Sequence, residues 1–161
     1  MKIAGFDRYD LINNPMDDSP SFTIWFGGCT FNCPDCQNPD LQVFDKWDEW
    51  SVKELTNLIL ENYDRYNVNS VVLLGGEPLQ QDKQELLLLC SNLHSVGLKI
   101  WLYTGYDLEL VDKEIIQYLH MIKCGRYIRE LAQNGFPASS NQKIYKVKAG
   151  DLIDITSELR R

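Results

Sequence analysis

"SVVLLGGEP", Ser70 to Pro78, is an unbroken apolar run halted by a glycine pair, with no polar residue at alternate positions. A strand with one wet face alternates polar and apolar residues, so a run of this kind fits a strand covered on both faces, as in parallel sheets. The flanking segments agree. Before it, "SVKELTNLILENYDRY" (51–66) places Ser51 to cap a helix and Glu54 three residues on to close a capping box. Val52, Leu55, Leu58, Ile59 and Tyr63 then fall near one helical face. After it, a helix from about Asp82 to Ser95 ends at Gly97. The strand "LKIWLYTGY" (98–106), a helix over "DLELVDKEIIQYL" (107–119) and a short strand "HMIKCG" (120–125) follow. Upstream, "SFTIWFGG" (21–28) is rich in β-branched and aromatic residues and ends in its own glycine pair, as a buried strand entering a loop would. Successive strand–helix units imply right-handed parallel crossovers, and the fold class is α/β. The tail, 125–147, reads as a short helix, a loop at Pro137 and a last strand from about Lys143 to Val147.

Ligands in such sheets gather where strand C-termini meet the following loops. Four unusual segments fall at that edge: "GGCTFNCPDC", "GGEP", "YTGY" and "KCG". A site is expected there.

The chain of 161 residues has the size of one ordinary domain, so a single domain over 1–161 is expected. No apolar run approaches the roughly 20 residues that cross a bilayer. The N-terminal "MKIAGFDRYD" has no apolar core ahead of a cleavage site, which makes the cytoplasm the expected home. A net charge of −7 argues against neutralising the phosphates of a nucleic acid, and no nucleic-acid or membrane partner is expected.

Three of the five cysteines, Cys29, Cys33 and Cys36, stand in one loop as Cys-x3-Cys-x2-Cys. Spacing this short lets a loop wrap its thiolates around one centre, and soft thiolates select zinc or iron–sulfur clusters. A structural zinc site is closed by four ligands, commonly as two close pairs, and no second pair exists here. The two histidines, His94 and His120, lie in or beside apolar segments and read as core residues. A cubane cluster held by three thiolates keeps one iron open to an outside ligand, which is the arrangement of a site that does chemistry.

With "GGEP" following the next strand, this loop resembles the radical S-adenosylmethionine (radical SAM) superfamily. The resemblance implies Cys29, Cys33 and Cys36 as ligands of a [4Fe-4S] cluster, with S-adenosylmethionine on the open iron. Gly75, Gly76 and Glu77 match the motif that holds its amino end. The chemistry suits those residues, since glycines admit close approach and a carboxylate partners an ammonium. One departure is Asp35, where the superfamily often has an aromatic residue. The chain is too short for a complete barrel, so the fold implied is a partial, incomplete parallel β/α barrel of the radical SAM type, with about five or six strands.

Within the superfamily, "FGGCTFNCPDCQNP", "LLGGEPL", "WLYTGY", "GRYI" and "SSNQ" are most similar to the enzymes that activate anaerobic (class III) ribonucleotide reductase. That branch implies reductive cleavage of S-adenosylmethionine to methionine and a 5'-deoxyadenosyl radical, which takes a hydrogen atom from a glycine of the reductase. An external one-electron reductant such as flavodoxin is then required. No side chain need act as acid or base, because the cofactors carry the chemistry. Thr104, with Tyr103, stands at a strand end either as a ribose or adenine contact or as part of an ordinary loop. Asn38, just past the cluster, is a binding residue or a simple cap. Cys90 reads as core and Cys124, beside Lys123, as packing or, less commonly for an isolated thiol, a redox group. Trp47 and Trp50 are either core anchors or a docking surface. The alternatives are activation of another glycyl-radical enzyme, radical SAM chemistry on a small molecule, and a non-catalytic zinc or electron-transfer module.

Overall fold

Strand Ser70–Gly75 lies near the middle of the molecule: Val71, Val72 and Leu73 are fully buried, as its unbroken apolar run requires. The computed structural model describes residues 1–14 and 19–159, and the remainder of the expected 1–161 domain lies outside them. In chain order the elements are β1 (Lys2–Asp10), β2 (Ser21–Phe26), β3 (Asp48–Glu49), α1 (Val52–Tyr66), β4 (Ser70–Gly75), α2 (Lys83–Ser95), β5 (Lys99–Tyr103), α3 (Lys113–Ile116), β6 (Met121–Cys124), β7 (Lys143–Lys148), β8 (Asp151–Asp154) and α4 (Thr156–Leu159). The eight strands form one sheet in the order β3-β1-β2-β4-β5-β6-β7-β8. Strands β2, β4, β5 and β6 run parallel, and the flanking pairings are antiparallel. The protein is therefore α/β with a parallel centre, and the sheet is wider than the five or six strands expected.

Alternation along the parallel strands divides the core. Phe22, Ile24, Phe26, Val71, Leu73, Ile100, Leu102 and Ile122 pack with Leu55 and Ile59 of α1 and Leu86, Leu89 and Cys90 of α2. Trp25, Val72, Leu74, Trp101, Tyr103 and Met121 point the other way, into a smaller cluster. Emptying any of the large buried positions costs about 2–5 kcal/mol. The register pairs Phe26 with Gly75 and Tyr103 with Lys123, which brings the C-termini of the parallel strands to one edge.

Helix α1 begins as its sequence dictates. Ser51 Oγ accepts from the Glu54 amide at 3.3 Å, and Glu54 Oε2 accepts from the Ser51 amide at 2.8 Å. The expected helix over 107–119 does not form as one element. A 3-10 turn at Leu108–Leu110 is followed by α3, only four residues long. Asp112 restarts the chain there in an extended conformation, its side chain accepting from the Glu114 amide, while β-branched Val111, Ile115 and Ile116 are poor helix formers. Their burial keeps the helical spacing without the helix.

The short helix expected in the tail is a 3-10 turn, Arg129–Leu131, and the last expected strand is β7, running antiparallel to β6 and continued by the hairpin partner β8. His94 is exposed rather than core, its ring packed edgewise on Tyr118 at 5.7 Å. Trp50 is a core anchor, edge-on to Phe6 at 5.0 Å. Trp47 lies against Gly27, where a Cβ would overlap its ring.

A candidate cofactor and metal site

The loop after β2 carries the cysteines, and glycines set its course. Gly28 has φ +93°, a value few other residues adopt without strain, and its amide donates to the Leu41 carbonyl at 2.7 Å. Cys29 N–H donates to the Gln42 carbonyl at 3.1 Å, and Cys36 N–H to the Cys33 carbonyl at 3.2 Å. The loop after β4 packs directly onto this one. Gly76 N–H donates to the Phe26 carbonyl and Glu77 N–H to the Gly28 carbonyl, both at 2.8 Å. A Cβ on Gly76 would run into the Gly28 carbonyl oxygen and stand 2.8 Å from that of Leu41. The glycine pair is needed because two backbones meet there.

Cys29, Cys33, Cys36, Asn38, Gly75, Gly76, Glu77 and Thr104 all line one cleft of about 400 Å³. All three loop thiols are free and half-buried. Burial pushes the Cys29 thiol above its ordinary value, so a metal must displace its proton. No three His, Cys, Asp or Glu side chains among the described residues are gathered around a single-ion position. A four-iron cubane makes no such demand, because each thiolate takes its own corner iron, and this donor set fits it. Cys90 and Cys124 are buried among the helix-facing core, each with its thiol pushed up to about 12 by burial.

Glu77 is 1% exposed. Its Oε1 accepts from Thr104 Oγ1 at 2.8 Å and from the Leu79 amide at 3.0 Å, while Oε2 accepts from the Gly105 amide at 2.8 Å. Burial raises its pKa, and the three donors oppose the rise. A carboxylate offers about four acceptor sites, so one remains for a ligand. Thr104 thus braces Glu77 as well as lining the cleft. Asn38 precedes a 3-10 turn but makes no side-chain cap hydrogen bond.

Other side chains steady the loops around the cleft, and of these Gln80 and Arg129 carried no signal readable in the sequence. Gln80 holds the cysteine loop with a reciprocal pair: Thr30 N–H donates to Gln80 Oε1 at 2.8 Å, and Gln80 Nε2 donates to Thr30 Oγ1 at 2.9 Å. From the other side, Arg126 donates to the Phe31 carbonyl at 2.6 Å and lies over its ring at 4.4 Å. Asp35 forms an ion pair with Arg129 at 3.0 Å. Asn141 of the "SSNQ" stretch steadies that segment by donating to the Arg126 carbonyl at 2.9 Å. Lys123 is largely buried in the cleft wall. Its ammonium lies 5.4 Å from the Tyr103 ring centroid, and no described carboxylate forms an ion pair with it. Burial pushes its pKa down to about 8.

Comparison with known proteins gives a family and several relatives. A family described as "4Fe-4S single cluster domain" matches residues 21–145. The anaerobic ribonucleoside-triphosphate reductase-activating protein of Salmonella typhi is 25% identical over 158 residues, 92% of this chain and 100% of that protein. Its Haemophilus influenzae counterpart is 27% identical over 150 residues, 86% of this chain and 94% of that protein. A protein of Methanocaldococcus jannaschii assigned as a glycyl-radical enzyme activating enzyme is 34% identical over 106 residues, 64% of this chain and 39% of that protein.

Proposed function

This chain belongs to the 4Fe-4S single cluster domain family, and from that membership we propose that it is a radical SAM activase which generates a glycyl radical on anaerobic ribonucleotide reductase. The observation that carries the reading is the meeting of the cysteine loop and the Gly-Gly-Glu loop in one cleft, with relatives of the same length that are reductase-activating proteins. When bound, the cluster and S-adenosylmethionine supply a one-electron cleavage which, with a hydrogen atom taken from the target glycine, ends in methionine and 5'-deoxyadenosine.

The chain's own residues bind and orient. Cys29, Cys33 and Cys36 hold the cluster. Gly75 and Gly76 would let the backbone approach the ligand, and the free acceptor site of Glu77 would accept a hydrogen bond from its ammonium. Lys123 is the cation for its carboxylate. Thr104 keeps the Glu77 carboxylate in place and, with Asn38, borders the nucleoside. No side chain is assigned as acid or base.

The sheet, with its parallel centre and strand-end cleft, is read as the open part of a radical SAM β/α barrel built from a single domain. Flavodoxin or a similar one-electron carrier is the proposed reductant and the cytoplasm the proposed setting. Neither nucleic acid nor membrane is a proposed partner, and no helix among the described residues is long and apolar enough to cross a membrane. Anaerobic reconstitution followed by reduction in the presence of S-adenosylmethionine tests the reading: methionine and 5'-deoxyadenosine are expected. A chain that takes up one zinc and no iron refutes it.

A further inference from the structure

Strand β1 is paired with β2 along most of its length, from Ile3 to Asp10, but on its outer side β3 covers only Lys2 and Ile3. From Ala4 onward no strand pairs with that outer edge among the described residues. Beside it lies a groove of about 530 Å³ bounded by Gly5, Asp7, Trp25, Leu41 and Trp47. Gly5 opposes Trp25 and Asp7 opposes Thr23, so the groove opens on the sheet face that carries the cofactor cleft. The two are continuous, because Trp25, Gln37 and Asn38 line both. At the junction Trp25 is fixed by its indole N–H, which donates to Asp7 Oδ2 at 2.7 Å. A Cβ on Gly5 would meet nothing within 4 Å, which marks open space at the groove floor.

We propose that this groove receives an extended main-chain segment of the glycyl-radical partner, added as a strand along β1 and delivering its target glycine past Trp25 into the cleft. The inference rests on the function proposed above. A glycine has no side chain to grip, so recognition must fall on the flanking backbone. An unpaired β edge supplies the alternating N–H and C=O groups that recognise backbone. Trp25 and Trp47 give flanking side chains apolar walls, and the continuity of groove and cleft gives the segment a path to the reacting atoms.

The test uses Gly5→Trp, which fills the groove without entering the cofactor cleft, with Gly5→Ala as its companion. Anaerobically reconstituted proteins are assayed for glycyl-radical formation against reductase concentration, and separately for reductive cleavage of S-adenosylmethionine without reductase. Gly5→Trp is expected to raise the half-saturating reductase concentration at least about tenfold, with iron content and partner-free cleavage as in the unaltered protein; Gly5→Ala is expected to match the unaltered protein. An unchanged concentration dependence in Gly5→Trp overturns the inference. Loss of partner-free cleavage in the unaltered protein would instead sink the proposed function itself. A photo-crosslinking residue replacing Lys46, on the groove wall, gives a readout independent of the Gly5→Trp fold. Crosslinks to the glycine-bearing segment support strand addition. Crosslinks to a second copy of this chain, or none with reductase present, overturn it.

Discussion

Thr104 Oγ1 donates a 2.8 Å hydrogen bond to Glu77 Oε1, and this buried contact ties the loop after β5 to the loop after β4. Thr104→Val keeps the shape and removes the donor. Glu77→Gln places an amide where both oxygens now accept. Each leaves a buried polar group short of a partner, at a cost of about 1–3 kcal/mol. At this chain length that is a fall of about 2–4 °C in Tm per kcal/mol, measurable by thermal denaturation. Glu77→Gln is also expected to weaken S-adenosylmethionine binding more than Thr104→Val, because the former removes the charge that faces the ligand's ammonium.

Gly76→Ala is expected to destabilise by about 1–3 kcal/mol, because the new methyl meets two carbonyl oxygens of the backbone, those of Gly28 and Leu41. Separation of the two loops should also lower iron incorporation. Gly5→Ala, which meets no atom within 4 Å, should do neither. Iron per chain and denaturation midpoints, compared between the two variants, check the contrast.

Lys123 has its pKa lowered from 10.5 to about 8 by burial. An unfolded chain therefore holds a proton between those values that the folded chain has released. This residue's contribution to stability rises as the pH climbs from about 8 toward 10.5, and it is penalising below that window. The difference in stability between the native protein and Lys123→Met should follow that direction. Ligand binding should run the opposite way. A bound carboxylate favours the ammonium, so affinity for S-adenosylmethionine should fall as the pH rises through about 8, with a flatter profile in Lys123→Met. Calorimetric titration across pH reads both.

The Asp35–Arg129 ion pair should matter little to stability. Its side chains are 50% and 70% exposed, and exposed pairs contribute about 0–1 kcal/mol. Asp35→Asn should leave the denaturation midpoint within that range and the iron content unchanged, as measured by chemical denaturation and iron assay.

The parts of this fold that were legible in the sequence are those where one physical demand dominates. The unbroken apolar run of β4 and the capping box at Ser51 each admit few readings, and the cysteine spacing announces a metal loop. Strand β1 was missed because "KIAGFDRYD" carries a glycine and a polar end, with register shifts on either side of Gly5–Asp7 that spoil its alternation. Strand β8 was missed because every residue in it is exposed, so no burial pattern marks it. The helix expected over 107–119 is broken because apolar residues at 111, 115, 116 and 119 mimic a helical period while Asp112 interrupts it. At the site, the residues that lie next to glycine motifs could be named. Gln80 and Arg129 could not, since what makes them important is where the chain returns in space.

The most direct test mixes the anaerobically reconstituted protein with S-adenosylmethionine, a one-electron reductant and the anaerobic reductase, and follows the sample by electron paramagnetic resonance. A glycyl-radical signal on the reductase is expected, from protein holding about four irons per chain and lost when any of Cys29, Cys33 or Cys36 is changed to Ala. A reconstituted, iron-loaded protein that cleaves S-adenosylmethionine yet leaves the reductase without that signal would contradict the account.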